Sequence, residues 1–371
     1  MKQIKIYLQY PWVVSDSSYY KYLINNSPEN VEYITTKNQK GVIINKRFFW
    51  FSNLLKKMIR KITGFLNLPI PNAHLTRSKE KYDLIHCAHC LSLNNKNPWV
   101  ADVECLWSLW VSGQNSIIGK KIVREILLRK NCKKILPWTN VTKNEIEKFF
   151  PEIKNKIEVV YPAVPLVKIK SKRHKEINLL FISRYFYEKG GLHALETINQ
   201  LTKKYENVSG IVVSEVPKEI LNKYSKNKKI KFYELMPQKE LFENIFPISD
   251  IFVYPSYIDS FGFACLEAMS FGIPIITVDS SVRKEIIDEG KTGFVIERPD
   301  INWKKYPPIF ENEEITIKNL IKKTEQLIKN KTLREKMSKN CINKIKFGKF
   351  SIKERNKKLK RIYGEALRRR T

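Results

Sequence analysis

Short apolar runs alternate with helical patterns along almost the whole chain of 371 residues. This alternation predicts parallel strands covered by helices, because parallel neighbours need a crossover between them. The predicted strands of the first half lie near 4–9, 31–35, 83–87, 98–103, 134–137 and 157–161, and those of the second half at 179–183, 210–214, 231–233, 251–254, 274–278 and 293–296. The two series indicate an α/β chain with two parallel sheets.

A change in composition separates the two series of strands. The stretch from Lys168 to Lys175 is rich in Lys and Arg and lies within a basic linker at 164–176. We therefore predict an N-terminal domain over 1–165, a second domain over 176–345 and a basic C-terminal helix over 346–371.

The net charge is the strongest signal in the composition, since 68 Lys and Arg residues against 37 Asp and Glu residues leave +31. Such an excess points to an anionic partner, namely nucleic acid, anionic lipid headgroups or a phosphorylated substrate, although a coding bias toward Lys would also produce it. Six cysteines are too few for a disulfide framework. No apolar run approaches the roughly 18 to 20 residues that span a bilayer, and the start is too polar for a signal peptide. We expect a cytosolic protein.

A first candidate site follows the strand at 179–183. The loop after this strand carries Arg184 and, five residues later, Lys189, before Gly190 and Gly191 open a helix. Two cations beside a helix N-terminus, with glycines that permit close approach, suit a diphosphate.

A second candidate site follows the strand at 251–254. The segment 255–263 (PSYIDSFGF) precedes a helix that carries Glu267, and Gly272 and Pro274 come before the next strand. Asp259 and Glu267, eight residues apart, frame a helix N-terminus whose amides can hold phosphate.

The segment 259–276 resembles the signature of retaining GT-B glycosyltransferases of family 4, an E-x-F-G-x-x-x-x-E-A-M-x-x-G-x-P block. The positions in register are Asp259, Phe261, Gly262, Glu267, Ala268, Met269, Gly272 and Pro274. Arg184 and Lys189 also fall where that family clamps the donor diphosphate. The resemblance is close over 178–296 and architectural over the first half.

The resemblance implies a GT-B fold: two Rossmann-like domains with parallel sheets that face an inter-domain cleft, and a C-terminal helix that crosses back to the N-terminal domain. It also implies transfer of a hexose from a UDP- or GDP-sugar, with retention of anomeric configuration. Arg184 and Lys189 would neutralise the diphosphate, Glu267 would accept the ribose hydroxyls, and Asp259 would meet the sugar. Further donor contacts are expected from Ser256, Phe261, Gly262 and Phe263 and, around the base, from Leu235 and Met236. No metal or other cofactor is expected, because the basic clamp and the helix dipole replace a cation.

The sequence departs from that family at several positions. Glu234 stands where Gly is usual, Asp259 is one methylene shorter than the usual Glu, and the Gly-rich loop after the first strand is replaced by 10–18 (YPWVVSDSS). Glu104 stands where many members carry His. His89, Asp102 and Glu104 are the candidate residues on the acceptor side.

The sequence Cys87-Ala88-His89-Cys90, preceded by His86, suggests a metal site. Zinc sites of this kind need a second pair at matching spacing, whereas Cys105 and Cys132 stand alone. We therefore favour buried thiols at a strand end and predict no metal.

Two basic regions suggest an anionic membrane surface. From Lys46 to Leu68, apolar residues fall on one helical face and basic residues on the other, as in helices that lie in the plane of a membrane, but a sheet-covering helix has the same pattern. The tail from Lys318 to Thr371 holds 20 Lys and Arg residues against 4 Asp and Glu residues. We predict a peripheral protein of the cytosolic membrane face that acts on a lipid-linked or cell-envelope glycan.

Two other functions compete with this prediction. Nucleic-acid binding rests on charge alone and lacks a reading motif, so no nucleic acid is expected as a partner. A sugar-nucleotide-binding subunit with weak catalysis is suggested by Glu104 and by the missing Gly-rich loop.

Overall fold

The structure, a computed structural model, describes residues 3–10, 18–34, 58, 63, 65–66, 68–167, 175–280, 282–303 and 307–368. The chain divides into two compact units, Met1–Ala163 with Ile352–Thr371, and Val164–Ser351. The second unit begins where the predicted linker 164–176 begins. Most of that linker, 168–174, and most of the predicted amphipathic segment 46–68 lie outside the described residues.

The first unit is built of strands and helices in alternation. In chain order its elements are β1 (Ile4–Gln9), α1 (Ser18–Asn25), β2 (Val31–Ile34), β3 (Ile70–Pro71), β4 (Ala73–His74), β5 (Leu84–Ala88), β6 (Leu91–Ser92), β7 (Trp99–Val103), β8 (Trp110–Ser112), α2 (Ile117–Leu128), β9 (Cys132–Pro137) and α3 (Asn140–Phe149). Two 3-10 segments, Leu106–Leu109 and Pro151–Lys156, complete this part. The hydroxyl of Thr139 caps α3 by accepting from the N–H of Thr142 at 3.1 Å.

Five strands form the main sheet of this unit in the order β2-β1-β5-β7-β9, with parallel pairing throughout. The central strands β5 and β7 are buried along their whole length, which is why the sequence shows them as continuous apolar runs. The prediction of a strand at 157–161 is wrong, because this segment does not form a regular strand. Ile157 forms a single bridge to Ile135, and the N–H of Val160 still donates to Pro137. Pro162 has no N–H with which to continue the ladder.

The C-terminal helix α10 (Ile352–Leu367) belongs to the first unit, although the chain reaches it from the second. The hydroxyl of Tyr363 lies 2.8 Å from the hydroxyl of Tyr33 on β2 and 2.7 Å from Nδ1 of His86 on β5. Arg355 donates to the carbonyl of Asn26 at 2.6 Å. The expected return of the last helix to the N-terminal domain is confirmed.

The second unit repeats the alternation of strands and helices. Its elements are β10 (Ile177–Ser183), α4 (Gly191–Lys204), β11 (Val208–Ser214), α5 (Lys218–Tyr224), β12 (Ile230–Tyr233), β13 (Ile251–Val253), α6 (Phe263–Ser270), β14 (Ile275–Val278), α7 (Arg283–Ile286), β15 (Gly293–Ile296), β16 (Ile301–Asn302), β17 (Ile309–Phe310), α8 (Glu313–Lys329) and α9 (Lys331–Phe347). Short helical segments at Gln238–Glu240, Leu241–Ile245 and Phe246–Ile248 precede β13. Among the helices of the described residues, none is long and apolar enough to span a membrane.

Six parallel strands form the main sheet of the second unit in the order β12-β11-β10-β13-β14-β15. All six were predicted from the sequence, with ends that differ by no more than two residues. The chain passes from β10 to β11 on one side and from β13 to β14 on the other. The gap between β10 and β13 is therefore the point at which the strand order reverses.

Candidate functional site

The loops that follow β10 and β13 form the candidate site of the second unit. The carboxyl ends of these neighbouring strands flank the reversal in strand order, and ligands of open α/β sheets bind outside the carboxyl ends of strands at such a point. Lys189 lies in the first loop and Asp259 in the second. The structure thus brings together the two motifs that the sequence analysis treated separately.

The two loops touch, and Gly190 makes their contact possible. Gly190 has φ +72°, a left-handed conformation that favours glycine, and a Cβ at this position would overlap the carbonyl oxygen of Pro255. Nζ of Lys189 donates to the carbonyl of Ile258 at 2.5 Å. The N–H of Tyr257 donates to the carbonyl of Glu188 at 3.2 Å. The loop after β10 therefore holds the acidic loop after β13 in place.

Asp259 stands between two cations. Its Oδ1 lies 3.3 Å from Nζ of Lys189, and its Oδ2 lies 2.6 Å from Nη2 of Arg283 on α7. The hydroxyl of Tyr254, the residue after β13, donates to Oδ2 at 3.3 Å, and the Arg283 guanidinium lies over the Tyr254 ring, 5.3 Å from its centre. A carboxylate, two cations and a phenol therefore form one buried cluster.

The electrostatics of this cluster favour the charged forms of Asp259 and Arg283. Burial would raise the pKa of Asp259, but Arg283 and Lys189 outweigh it and hold that pKa below the ordinary value. Burial would lower the pKa of Arg283, but Cys265 and Asp259 hold it above its ordinary value. Burial does lower the pKa of Lys189, against the opposing effect of Asp259. The site is a fixed arrangement of charges, and an anion can bind against its cations.

Gly262 opens α6 beside the cluster. It has φ +100°, and a Cβ there would overlap Nη1 of Arg283, so both the backbone conformation and the space require glycine. The helix that follows, α6, directs the amides of its first turn toward the same edge of the sheet. Cations and a helix N-terminus together form the kind of site that binds phosphate.

Glu267, on α6, is held by the loop that follows β12. Its carboxylate is buried, and Oε1 accepts from Nε2 of Gln238 at 2.6 Å. Leu235 and Met236, the residues predicted to contact a base, are half-buried in that loop. The structure therefore connects the predicted base loop to the predicted ribose-binding acid.

The other predicted donor residues take different places in these loops. Arg184 is exposed at the start of the first loop, with its guanidinium 5.9 Å from the centre of the Tyr185 ring, and is not part of the buried cluster. Ser256 is fully buried, and its hydroxyl donates to the carbonyl of Ile258 at 3.2 Å, which braces the loop. Phe261 is buried and Phe263 half-buried, with ring centres 5.0 Å apart.

Two residues of the cluster, Arg283 and Tyr254, were not predicted from the sequence. Arg283 is fully buried although it is an arginine, and it approaches Asp259 from the exit of the neighbouring strand β14. Its short helix begins five residues after β14 ends at Val278, and a cation shortly after a predicted strand was the available signal. Tyr254 had been included only as the last residue of a predicted strand.

The three acceptor-side candidates lie in the first unit. His89 follows β5 with φ +57°, lies edge-on against the rings of Tyr20 and Trp138, and has Nε2 3.9 Å from a carboxylate oxygen of Glu104. Burial lowers the pKa of His89, and Glu104 opposes this effect. Asp102 is instead buried within β7, with Oδ2 2.8 Å from Nε2 of His86.

Cys87 and Cys90 are buried, and each thiol lies 3.9 Å from Nε2 of Gln9. Burial raises the pKa of the Cys87 thiol, which disfavours the thiolate that a metal needs. In the part of the chain that the structure describes, no group of three or more His, Cys, Asp or Glu residues is placed to hold a metal ion.

Comparison with known families and curated proteins finds one family and several partial relatives. Residues 166–306, which include both loops and Arg283, match the family model "Glycosyl transferases group 1". An uncharacterized 41.2 kDa protein in the cps region of Klebsiella pneumoniae is 32% identical over 162 residues, 40% of this chain and 44% of that protein. The capsular polysaccharide biosynthesis glycosyltransferase CapM of Staphylococcus aureus is 24% identical over 211 residues, 54% of this chain and 50% of CapM. The chain therefore spans about half the length of the curated relatives it matches.

Solved structures match over nearly the whole chain. A glycosyltransferase from Rickettsia africae aligns with a TM-score of 0.66 at 16% identity, over 99% of both chains. The fold is GT-B. HepE of Anabaena, solved in complex with UDP, aligns with a TM-score of 0.61 at 12% identity, over 98% of this chain and 99% of HepE. At such low identity these likenesses concern the GT-B fold alone, with its two Rossmann-like units.

Proposed function

We propose that this protein is a retaining glycosyltransferase that moves a hexose from a UDP- or GDP-sugar to a lipid-linked or cell-envelope glycan. The observation that carries the proposal is the buried cluster of Lys189, Asp259 and Arg283 beside the N-terminus of α6, at the reversal in strand order. The match of residues 166–306 to glycosyl transferases group 1 supports the reaction class. The name of CapM, a capsular polysaccharide enzyme, supports the acceptor class.

The proposed reaction breaks the bond between the anomeric carbon and the donor diphosphate and forms a bond from an acceptor hydroxyl oxygen to the same face of that carbon, and the hydroxyl proton passes to the leaving diphosphate. Negative charge grows on the leaving nucleoside diphosphate as the bond breaks. Lys189, the exposed Arg184 and the first amides of α6 would oppose this charge. Because the loops already hold Lys189 and α6, these groups need little rearrangement, and no metal is required for the step.

The remaining donor contacts follow from the two loops and α6. Glu267, held by Gln238, would accept hydrogen bonds from the ribose hydroxyls, and Leu235 and Met236 would lie against the base. Asp259, with the amides around Gly262, would meet the sugar and the phosphates.

On the acceptor side, we propose His89 and Glu104 as contacts for an acceptor hydroxyl. Because burial lowers the pKa of His89, its ring is neutral near pH 7, and one of its nitrogens, both of them enclosed and without a hydrogen-bond partner, would accept a hydrogen bond once the hydroxyl displaces the side chains that cover it. Glu104, 3.9 Å away, can accept a second one.

A donor panel tests the proposal. Purified protein with UDP- and GDP-sugars and a bacterial lipid extract should release nucleoside diphosphate, and Glu267→Ala should abolish the release. Glu206→Ala is the matched control and should keep full activity. It changes an exposed carboxylate before the amino end of β11, whereas the candidate site lies at the carboxyl ends of the strands. Release that is equal in wild type and Glu267→Ala would contradict the site assignment.

A sugar-nucleotide-binding subunit without transferase activity is the second candidate. Glu104 in place of His and the engagement of Asp259 by two cations favour it. Thermal stabilisation by UDP or GDP, with no turnover across the donor and acceptor panel, would support this candidate over the transferase.

We also propose that the protein binds the anionic cytosolic face of a membrane. Support comes from large apolar side chains that are exposed on the first unit. The hydroxyl of Ser112 donates to the carbonyl of Leu68 at 2.7 Å, and Pro69 lies close to Gly119, so Leu68 lies near the first turn of α2. Ile117 and Ile118 of that turn are exposed, as are Leu68 and, shortly before it in the sequence, Phe65 and Leu66. Lys120 and Lys121 are exposed on the same helix, and their positive charges complement the negative charges of anionic headgroups.

Flotation with vesicles tests the membrane proposal. Wild type should float with phosphatidylglycerol vesicles and not with phosphatidylcholine vesicles. Replacing both isoleucines, Ile117→Ser/Ile118→Ser, should reduce flotation, whereas Ile309→Ser, at an exposed isoleucine of the second unit, should not. Equal flotation with neutral vesicles, or no effect of the double variant, would overturn the proposal.

A further inference from the structure

We propose that Arg283 is a positioning residue that neutralises Asp259 and so keeps the positive charge of Lys189 available to the donor diphosphate. The inference rests on the proposed function, because it assigns Arg283 a part in binding the same donor. Arg283 itself is fully buried behind Gly262. It therefore acts through Asp259 and not by touching the ligand.

The geometry divides the carboxylate of Asp259 between two cations. Oδ2 lies 2.6 Å from Nη2 of Arg283, which is a short charge-assisted contact, whereas Oδ1 lies 3.3 Å from Nζ of Lys189. Arg283 has the closer contact and Lys189 the looser one. Lys189 also keeps a side chain that is 17% exposed, while the side chain of Arg283 is at 0%. Of the two cations, Lys189 is the one that a ligand can reach.

Charge counting shows why the second cation matters. Lys189 and Asp259 alone would sum to zero and would attract a diphosphate weakly. With Arg283 the three contacting side chains sum to a single positive charge. In a buried site where water screens little, this difference acts strongly on a ligand that carries at least two negative charges.

The surroundings of Arg283 hold it in this position. Its guanidinium lies on the ring of Tyr254, Nη1 donates to the carbonyl of Phe261 at 3.4 Å, and Gly262 leaves the space that the guanidinium fills. All three neighbours belong to the loop that carries Asp259. Arg283 thus fixes the loop and its charge together.

Binding of UDP and GDP, measured by titration calorimetry, tests the inference without requiring turnover. The nucleotide that binds wild type more tightly is used for the variants. Arg283→Met removes the charge at similar length and leaves Lys189 to neutralise Asp259, so we expect about 30-fold weaker binding, the effect of weakening the one charge-assisted contact of Lys189 with the ligand. Arg283→Lys keeps the charge but loses the planar guanidinium that lies over Tyr254, so it should bind more tightly than Arg283→Met and more weakly than wild type.

The decisive variant is the double substitution Asp259→Asn/Arg283→Met. It leaves Lys189 as the one charge of the three, so the sum is again a single positive charge, and binding should return to within about threefold of wild type. Asp259→Asn alone raises the sum to two positive charges and should bind at least as tightly as wild type. The single variant Asp259→Asn leaves Arg283 unchanged, so its affinity tests the inference even if Arg283→Met fails to fold.

The pH dependence separates this role from a merely structural one. Asp259 faces Lys189 from the loop after β10, Arg283 from α7, Tyr254 after β13 and Cys265 on α6. Burial raises the pKa of Tyr254, and that of Cys265 to about 11, so both stay neutral between pH 5.5 and 8. In Arg283→Met, Lys189 alone opposes the effect of burial, so the pKa of Asp259 should be higher than in wild type, and its protonation at low pH would free Lys189. The ratio of the dissociation constants of Arg283→Met and wild type should therefore fall as the pH is lowered, and the use of a ratio cancels the titration of the nucleotide itself.

Three results would overturn the inference: a double variant that binds no better than Arg283→Met, an Asp259→Asn variant that binds more than threefold more weakly than wild type, or a ratio that does not change with pH. If wild type binds neither UDP nor GDP, the proposed function fails instead. The two failures are therefore distinguishable in one set of titrations.

Discussion

Each unit buries one aspartate near the carboxyl end of its parallel sheet, and the two aspartates are held by different kinds of partner. Asp259 lies in a loop of the second unit and contacts the cations of Lys189 and Arg283. Asp102 lies within strand β7 of the first unit, 2.8 Å from Nε2 of His86, whose Nδ1 lies 2.7 Å from the hydroxyl of Tyr363 on α10. One carboxylate is part of a charged loop cluster and the other joins a strand to the last helix.

The difference shows which buried carboxylate can respond to a ligand. Loops at the carboxyl ends of strands can present a partly exposed cation such as Lys189 to a solute, whereas the partners of Asp102 are enclosed by sheet and helix. We therefore expect changes at Asp259 and its partners to alter donor binding, and changes at Asp102 and its partners to alter the stability of the first unit.

Lys189→Ala should have the largest effect on function. It removes the accessible cation of the loop cluster, and we expect kcat/KM to fall about 1000-fold, a loss of about 4 kcal/mol of transition-state stabilisation. The free energy of unfolding should fall by about 1 to 2 kcal/mol, because the carbonyl of Ile258 loses its donor while Arg283 still pairs with Asp259. Nucleoside diphosphate release and urea unfolding measure the two quantities.

Lys203→Ala, at an exposed lysine in the last turn of α4, is the control and should leave both quantities unchanged. A Lys189→Ala variant that loses stability but keeps its activity would reverse the roles assigned to the two regions.

Asp102→Ala should produce the opposite result. It leaves His86 buried without its carboxylate, and we expect a loss of about 3 kcal/mol in the free energy of unfolding. UDP affinity should change by less than twofold. Tryptophan fluorescence during urea unfolding is a suitable measurement because Trp99, Trp110 and Trp138 are buried in this unit.

The matched control is Glu104→Ala, two residues further along the chain and partly exposed, for which we expect a change below about 0.5 kcal/mol. If Asp102→Ala is as stable as the control, the contact between β7 and β5 does not secure the first unit.

The contrast between the two regions also explains what the sequence could predict. The strands of both sheets and the order of the Lys189 and Asp259 loops follow from local patterns, since apolar runs and glycines act within a few residues. Arg283 was missed because its role depends on β14 lying next to β13, a pairing that no local pattern contains. Asp102 was predicted to face an acceptor, but its partner His86 lies on the adjacent strand β5, and only the sheet brings the two residues together. Sequence patterns predicted elements and motifs, whereas side-chain partners from different strands required the structure.

A histidine that packs against the loop after β13 makes the stability of the second unit depend on pH. His193 on α4 is fully buried against the rings of Tyr257 and Phe310, and burial lowers its pKa to about 4. Between pH 6.5 and 4 the unfolded chain binds a proton that the folded chain does not, so acidification favours unfolding, by about 1 kcal/mol per pH unit in this range.

His193→Phe keeps an aromatic ring and removes the titration. Urea unfolding followed by circular dichroism should show a stability difference between wild type and His193→Phe that grows in favour of the variant by about 1 kcal/mol from pH 6.5 to pH 5.5. A difference that is constant with pH would show that His193 is not held neutral.

A similarly small effect is expected at the far end of the Asp102 contacts. Tyr363→Phe removes one hydroxyl that lies 2.8 Å from the hydroxyl of half-buried Tyr33 and 2.7 Å from Nδ1 of fully buried His86. We expect the free energy of unfolding to fall by about 1 to 2 kcal/mol, because His86 loses a hydrogen bond without gaining one from water. Tyr82→Phe is the control in the same unit, since its hydroxyl accepts a long hydrogen bond of 3.4 Å from Asn94, and it should change stability by less than about 0.5 kcal/mol. UDP affinity should be the same in both variants and in wild type. A Tyr363→Phe variant that weakens UDP binding at unchanged stability would show that α10 acts on the donor site, and the separation between a ligand-responsive aspartate and a structural one would no longer hold.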